Sequence, residues 1–382
     1  MISNLISPSG EPSLQDNLWH IASSDNSGST DMKYIFDVYK GNEQLVRVKV
    51  FPDPTNGKGY FDASPIVRNE VTYEWFVPEN SGVLLATPSQ SGEVALTYSI
   101  RVGEDVSGVM TTNMASGNVK AFNYVPSLFK RRKLDFTQYN NKWLTNRPNY
   151  AKLTLTEKLM IGVKTTGILD LLVETYGYNN SLIDSEDIGV GVNGIQQLDI
   201  SPSAINNEFS GLIDSNVAYY TITDLSNNLN KFKVYVDCLP IYTPINLHFI
   251  NACGVFDTAR FKLASKLTMD LERKLFEKQD YRFGSSSVGY YNSKNVYYES
   301  KINYGSKAMW SYNLTMDYPT DAEYQWLSEL ITSPLIYMEL DGNYYPVTIK
   351  DTNYEYSTYN TNKLKVLNVN IDVNQKRYGY RR

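Results

Sequence analysis

General acid–base chemistry near neutral pH leans on histidine, and this chain has two, His20 and His248. His20 stands beside Trp19 in a polar N-terminal stretch. His248 lies within Asn246-Leu247-His248-Phe249-Ile250, whose apolar neighbours make it a half-buried strand residue rather than a base. Neither CxxC nor HExxH occurs, and there is no Gly-x-Ser-x-Gly elbow or Gly-Lys-Ser/Thr phosphate loop. A glycosidase needs only two carboxylates held about 5 to 10 Å apart. Glu174, Asp184, Glu186 and Asp187 are of the right type, but with 41 acidic residues any such selection is cheap. The run Asp184-Ser185-Glu186-Asp187 lacks the ordered alternation of a calcium loop and reads as a solvated acidic turn. The glycines at 189, 191 and 194 invite comparison with a dinucleotide fingerprint, which must lead from a strand straight into a helix. Here Ile195 to Ile200 reads as extended and meets Ser201-Pro202, so a connection between strands is expected. No cofactor, metal or catalytic residue is assigned, and the chain is read as a non-enzyme.

The residues that stand out are aromatic and basic. Of 31 tyrosines, 16 lie between Tyr290 and Tyr380, with pairs at Tyr290-Tyr291, Tyr297-Tyr298 and Tyr344-Tyr345. Adjacent residues of a strand point to opposite faces, so each pair sends one ring inward and one outward. Outward rings with few rotamers give much contact area for little entropy, which suits protein interfaces and also sugar stacking. Trp310 falls in the same region and joins these tyrosines and Tyr380 as an interface candidate. The tetrad Lys130-Arg131-Arg132-Lys133 is the strongest electrostatic contact point, read as a solvated connector or a rim facing an acidic partner.

Such surfaces need sheets to carry them. Tyr34, Phe36 and Val38 alternate with polar positions, and after Lys40-Gly41-Asn42 the run Gln44 to Phe51 alternates again, which predicts a hairpin. Further strands are predicted over Val71–Val77, Gly82–Ala86, Val94–Val102, Ala151–Thr156, Leu159–Val163, Ile168–Tyr176, Val217–Thr223 and Lys231–Asp237. In the last of these, Phe232, Val234 and Val236 share one face while Lys233 and Tyr235 share the other, which is wet or covered by a partner. One helix is predicted: Thr320 and Glu323 have capping-box spacing, Leu327, Leu330 and Ile331 follow, and Pro334 ends it. Asp341-Gly342 predicts a tight hairpin after it.

The predicted fold is mainly β, with two to three β-sandwich or barrel-like domains and one short C-terminal helix near 321–332. The expected divisions are an extended N-terminal arm over 1–30, a sandwich over 31–125, a basic and aromatic connector over 126–149, a second β-rich domain over 150–245 and a tyrosine-rich β domain over 246–382. The formal net charge of −5 argues against a chain built to neutralise nucleic acid. Cys238 and Cys253 read as free thiols. No signal peptide or apolar run long enough to span a membrane is found.

The segment Leu247-His248-Phe249-Ile250-Asn251-Ala252-Cys253-Gly254-Val255-Phe256-Asp257-Thr258-Ala259-Arg260-Phe261 resembles virion proteins of tailed phages and prophages of Bacteroidetes-type bacteria. Trp326 to Tyr337, followed by Tyr345-Pro346-Val347-Thr348-Ile349, is similar to a second element of those proteins. The resemblance covers roughly 240–375. It implies a structural subunit of a tail, neck ring or baseplate that docks with copies of itself and with other virion proteins. It also implies location in the virion after assembly in host cytoplasm. A carbohydrate-binding or receptor-binding β module is the alternative, with a glycan as partner.

Overall fold

The computed structural model describes residues 1–72, 82–87, 94–125, 136–191, 193–225, 229–237, 240–277, 282–283, 288–289, 301–316, 319–351, 366–375 and 377–378. The chain is mainly β and forms two compact units whose segments interleave along the sequence. The first comprises Met1–Pro240, His248–Ala259 and Gln325–Pro334; the second comprises Ile241–Leu247, Arg260–Tyr324 and Leu335–Arg382.

Two sandwiches make up most of the first unit. In the first, Lys33–Lys40 and Glu43–Val50 form the predicted hairpin, with Gly41 at φ +60° in the turn. Ala95–Val106 pairs on the other side of Lys33–Lys40 and carries Val109–Ala115 and Val119–Phe122. The facing sheet is Ile2–Ile6, Trp19–Ser24 and Gly59–Asp62. Ile2, Leu14, Leu18 and Ala22 share one core with Tyr34, Phe36, Val38 and Tyr98. The first 30 residues, expected as an extended arm, thus supply a layer of this sandwich. Their apolar residues are sparse, but Ile2, Leu14, Leu18 and Ala22 are placed inward, and burial of one such side chain contributes about 1.5–3 kcal/mol.

The second sandwich opposes the sheet Lys142–Trp143, Met160–Thr165, Gly194–Asp199, Leu84–Ala86 to the sheet Tyr150–Leu153, Phe232–Val236, Tyr219–Asp224, Asp170–Tyr176, Leu182–Gly189. Val163, Leu198, Leu171, Val173, Ile222 and Val234 fill the space between. Leu84–Ala86, expected in the first domain, pairs instead with Gly194–Asp199. The acidic run at 184–187 is strand rather than turn: Leu182–Gly189 is an outer strand of its sheet, exposed except at the buried Ile188 and the half-buried Glu186, while its backbone pairs with Asp170–Tyr176.

Three α-helices occur among the described residues, two more than predicted: α1 (Ser64–Arg68), α2 (Pro202–Glu208) and α3 (Asp321–Thr332). Both unpredicted helices carry proline in the first turn, where the missing N–H costs nothing. Ser201 caps α2 by accepting from Ala204 N. α3 has the predicted bounds and capping box, with Thr320 N donating to Glu323 Oε2 (2.8 Å) and Glu323 N to Thr320 Oγ1 (3.3 Å). It is not terminal, since Ile336–Leu340, Asn343–Ile349 and Leu367–Val373 follow it.

In the second unit, Ile336–Leu340, Asn343–Ile349, Leu367–Val373, Lys301–Met316 and Lys266–Glu277 lie side by side in that order, all antiparallel. Asp341 and Gly342 both have positive φ, +51° and +73°, as a type I′ hairpin requires.

Candidate docking surfaces

The second unit carries a long arm built on two strands, which the short strand Arg377–Tyr378 joins at Lys307 and Ala308. Lys266–Glu277 pairs with Lys301–Met316 along its whole length, and every residue from Lys266 to Glu277 is exposed. One face of the pairing sets Leu267 opposite Tyr312, Met269 opposite Trp310 and Leu271 opposite Ala308. On that same face, further along Lys301–Met316, Leu314 lies opposite Val369, and Ile371 lies opposite Tyr312; Leu314, Val369 and Ile371 are fully buried. A single apolar face therefore begins in the core and runs out into solvent, where Leu267 is 48%, Met269 49%, Leu271 42% and Leu275 55% exposed.

The opposite face is polar and knitted together. Lys350 Nζ donates to Asp372 Oδ1 (2.8 Å), Asp270 Oδ2 (3.3 Å) and Ser311 Oγ (3.1 Å), and Ser311 Oγ donates to Asp372 Oδ1 (2.5 Å). The hydrogen bond to Asp372 and the nearby Asp270 raise the Lys350 pKa. Asn313 and Thr315 donate to Asn370 and Asn368 across the next strand pair.

Trp310 is therefore placed on the apolar face of the arm, half-buried. Tyr344 lies opposite Glu339 and Tyr345 opposite Met338, one on each face of their hairpin and both half-buried. Lys130, Arg131, Arg132, Lys133, Tyr290, Tyr291, Tyr297, Tyr298, Tyr380 and Cys238 lie outside the described residues.

A second aromatic surface, in the first unit, escaped the tyrosine count. On the outer face of the five-stranded sheet, Lys152, Tyr235, Tyr219 and Tyr176 are successive neighbours, and Tyr150, Lys233, Thr221 and Glu174 form the adjacent row. The rings of Tyr176 and Tyr219 stack at 4.8 Å, and the Lys233 ammonium sits 3.6 Å from the Tyr219 ring centre and 4.5 Å from that of Tyr235. Glu174 accepts from Lys231 (2.8 Å), Tyr176 and Thr221, which holds its carboxyl below the usual range, the Lys231 bond foremost. A cleft of about 700 Å³ opens between Tyr150, Lys152, Tyr178, Tyr219 and Tyr235. The signal was present in the alternation of Lys231 to Asp237. What a count could not show is that Tyr150, Tyr176 and Tyr219 arrive from three other strands. A second concavity, of about 790 Å³, lies against the outer face of the three-stranded sheet, with the half-exposed Trp19 and Tyr60 among Ser7, Ser9, Asp16 and Asn17.

The groups with chemical potential are buried. His20 contacts Tyr98 Oη and Ser7 Oγ, both at 3.0 Å, and burial pushes its pKa down to about 4. His248 Nδ1 lies 2.9 Å from Thr258 Oγ1, deep in the interior. Asp257 Oδ2 accepts from Thr145 Oγ1 (2.6 Å) and Trp326 Nε1 (2.8 Å), with its pKa raised by burial. Glu329 accepts from Ala252 N (2.8 Å) and Asn146 Nδ2 (2.6 Å), and burial pushes it up to about 7. Together these bonds fasten the Gln325–Pro334 part of the chain to the first unit. Burial also drives the Cys253 thiol well above its usual value, which leaves it unreactive. Among the described residues no group of three or more His, Cys, Asp or Glu could hold a metal, and no helix is long and apolar enough to cross a membrane.

No family model and no curated protein matches the chain. Among solved structures, the FN1-FN3 domains of chicken CNTN1 align with 9% identity over 62% of this chain and 64% of that one. The chain thus spans just under two thirds of that structure's length. At a TM-score of 0.21 the likeness carries no argument about fold or function.

Proposed function

We propose that this multi-sheet β protein is a structural subunit of a phage tail, neck ring or baseplate, located in the virion and working by docking with other protein chains. The observation that carries the docking reading is the arm of the second unit, whose apolar face leaves the core and stays uncovered over Leu267, Met269 and Leu271, with Trp310 half-buried beside them. Isolated exposed apolar residues are ordinary, but a contiguous row is the mark of an interaction surface. The tyrosine and lysine face of the first unit offers a second docking area of the aromatic kind that interfaces favour. The virion setting is supported by the resemblance of residues 247–261 and 326–337. Mass spectrometry and imaging of purified particles from a phage encoding this chain test it. The chain is expected at fixed stoichiometry in the tail or neck, and particles lacking it would refute the setting.

Trp19 favours a second reading, a carbohydrate-binding or receptor-binding module. A half-exposed indole in a concavity rimmed by hydroxyl, amide and carboxylate groups suits the apolar face and the hydroxyls of a sugar. Titration of the full chain with soluble glycans, followed by tryptophan fluorescence, tests it. Saturable quenching lost in Trp19→Ala would favour this reading over assembly.

A further inference from the structure

We propose that the outer strand of the arm, Lys266–Glu277, pairs antiparallel with the same strand of a second copy of the chain. The inference rests on the docking reading and names the partner.

Lys301–Met316 occupies one edge of this strand, and among the described residues no strand pairs with the other. Alternate residues along it direct N–H and C=O groups outward, a template for strand addition. Natural edges are usually blunted by a bulge, a proline, a very short strand or charged side chains, and this edge carries six charges whose signs balance. This one spans 12 residues, has no proline, and its one register irregularity lies on the partner, where Tyr304 is the extra residue between Asn303 and Gly305. It is an edge left fit for pairing.

The charges select the occupant. Lys266, Arg273 and Lys274 balance Asp270, Glu272 and Glu277, so the strand has no net charge to attract a polyanion or a basic peptide. A two-fold axis perpendicular to the sheet keeps like faces together. In the register that sets Leu271 opposite Leu275 of the second copy, Glu272 falls opposite Lys274. Each of these contacts occurs twice. The single like-charged contact is Arg273 against its twin on the axis. On the odd-numbered side, Leu271 and Leu275 of the two copies pair on either side of the twin Arg273 residues and Met269 faces Glu277, covering apolar side chains that are each more than 40% exposed in the single chain. Such a contact is isologous, closes on itself and joins copies in pairs.

Sedimentation equilibrium of the full chain from about 1 to 100 µM tests the proposal. A reversible dimer is expected. Opposite charges facing across strands contribute about 0.2–1 kcal/mol each and like charges reverse the sign, so two pairs changed at once should weaken dimerisation by about tenfold in Glu272→Lys or in Lys274→Glu. The double variant restores the pairing and should return to within about threefold of the wild type. Unchanged melting curves verify that the arm still folds. Independently, Arg273→Cys should give a disulfide-linked dimer on mild oxidation, and Lys266→Cys should not. A chain that stays monomeric throughout, or a dimer indifferent to both charge reversals or not rescued by the double variant, overturns the proposal. A monomer that is nonetheless found in particles would overturn self-pairing and leave docking standing. A dimer made by this strand but absent from particles would do the reverse.

Discussion

Gly254 holds φ at +81°, and a Cβ placed there would stand 2.4 Å from the carbonyl oxygen of Asn123. Both the dihedral and the space exclude other residues, so Gly254→Ala is expected to cost about 2–4 kcal/mol, read as a lowered midpoint of urea unfolding. Glu329 makes a prediction about pH. Its folded pKa of about 7 lies above its ordinary 4.5, so the fold binds its proton more tightly than the unfolded chain does. The resulting stability is complete below about pH 4.5 and is lost as pH rises through 7. His20 acts in the opposite sense: lowered from 6.5 to about 4, it withdraws stability as pH falls through that interval. Relative to Glu329→Gln, the wild type is therefore expected to lose melting temperature between pH 5 and 8, and equal slopes in the two proteins would contradict this. The sequence disclosed two histidines and the apolar neighbours of His248. It did not disclose Glu329 or Asp257, because an acid looks the same in sequence whether it is solvated or sealed beneath a helix.

Elements whose local chemistry is decisive were legible. The α3 capping box, the Asp341-Gly342 hairpin and the alternating strands at 33–40 and 232–236 all follow from neighbouring residues alone. Thr320→Ala should remove the cap and cost about 1 kcal/mol by thermal denaturation, with Thr320→Ser nearly silent. Strands with polar side chains on both faces were not legible, as at Leu182–Gly189, because pairing there is made by backbone and leaves no periodic trace. The arm lies between these cases. Its alternation is visible, but whether an apolar face is covered depends on what stands opposite. At concentrations where the chain is monomeric, Leu271→Lys on the arm is expected to shift unfolding by no more than about 0.5 kcal/mol, as befits an exposed position. A larger shift would mean that this face is covered within the single chain.

At the scale of the molecule, the compact units do not follow consecutive stretches of sequence. Residues 248–259 and 325–334 return to the first unit, so a reading that assigns consecutive stretches to one domain cannot find the boundary. Phe256 N donates to Gln197 Oε1 (2.8 Å) and Gln197 Nε2 to the Phe256 carbonyl (3.0 Å), a reciprocal pair that satisfies a buried amide from a distant strand. Trp326 is 3% exposed and bonded to Asp257, so Trp326→Ala should destabilise the first unit by about 3 kcal/mol. Hydrogen exchange should then quicken across Met160–Thr165, and exchange confined to α3 would contradict that account.

This interleaving sets a timetable for synthesis. Two of the three segments that complete the first unit lie more than 240 residues from its start, and the last ends at Pro334. While the ribosome is still translating the first 324 residues, Asp257 has no indole to bond and Ala252 has no carboxylate to receive its N–H. The nascent sandwiches must wait with that surface open. Contacts of such long sequence separation are slow to form and expose intermediates to aggregation. A chain released before residue 334 therefore leaves the earlier-made unit unfinished, although nearly all of that unit's residues have already been added.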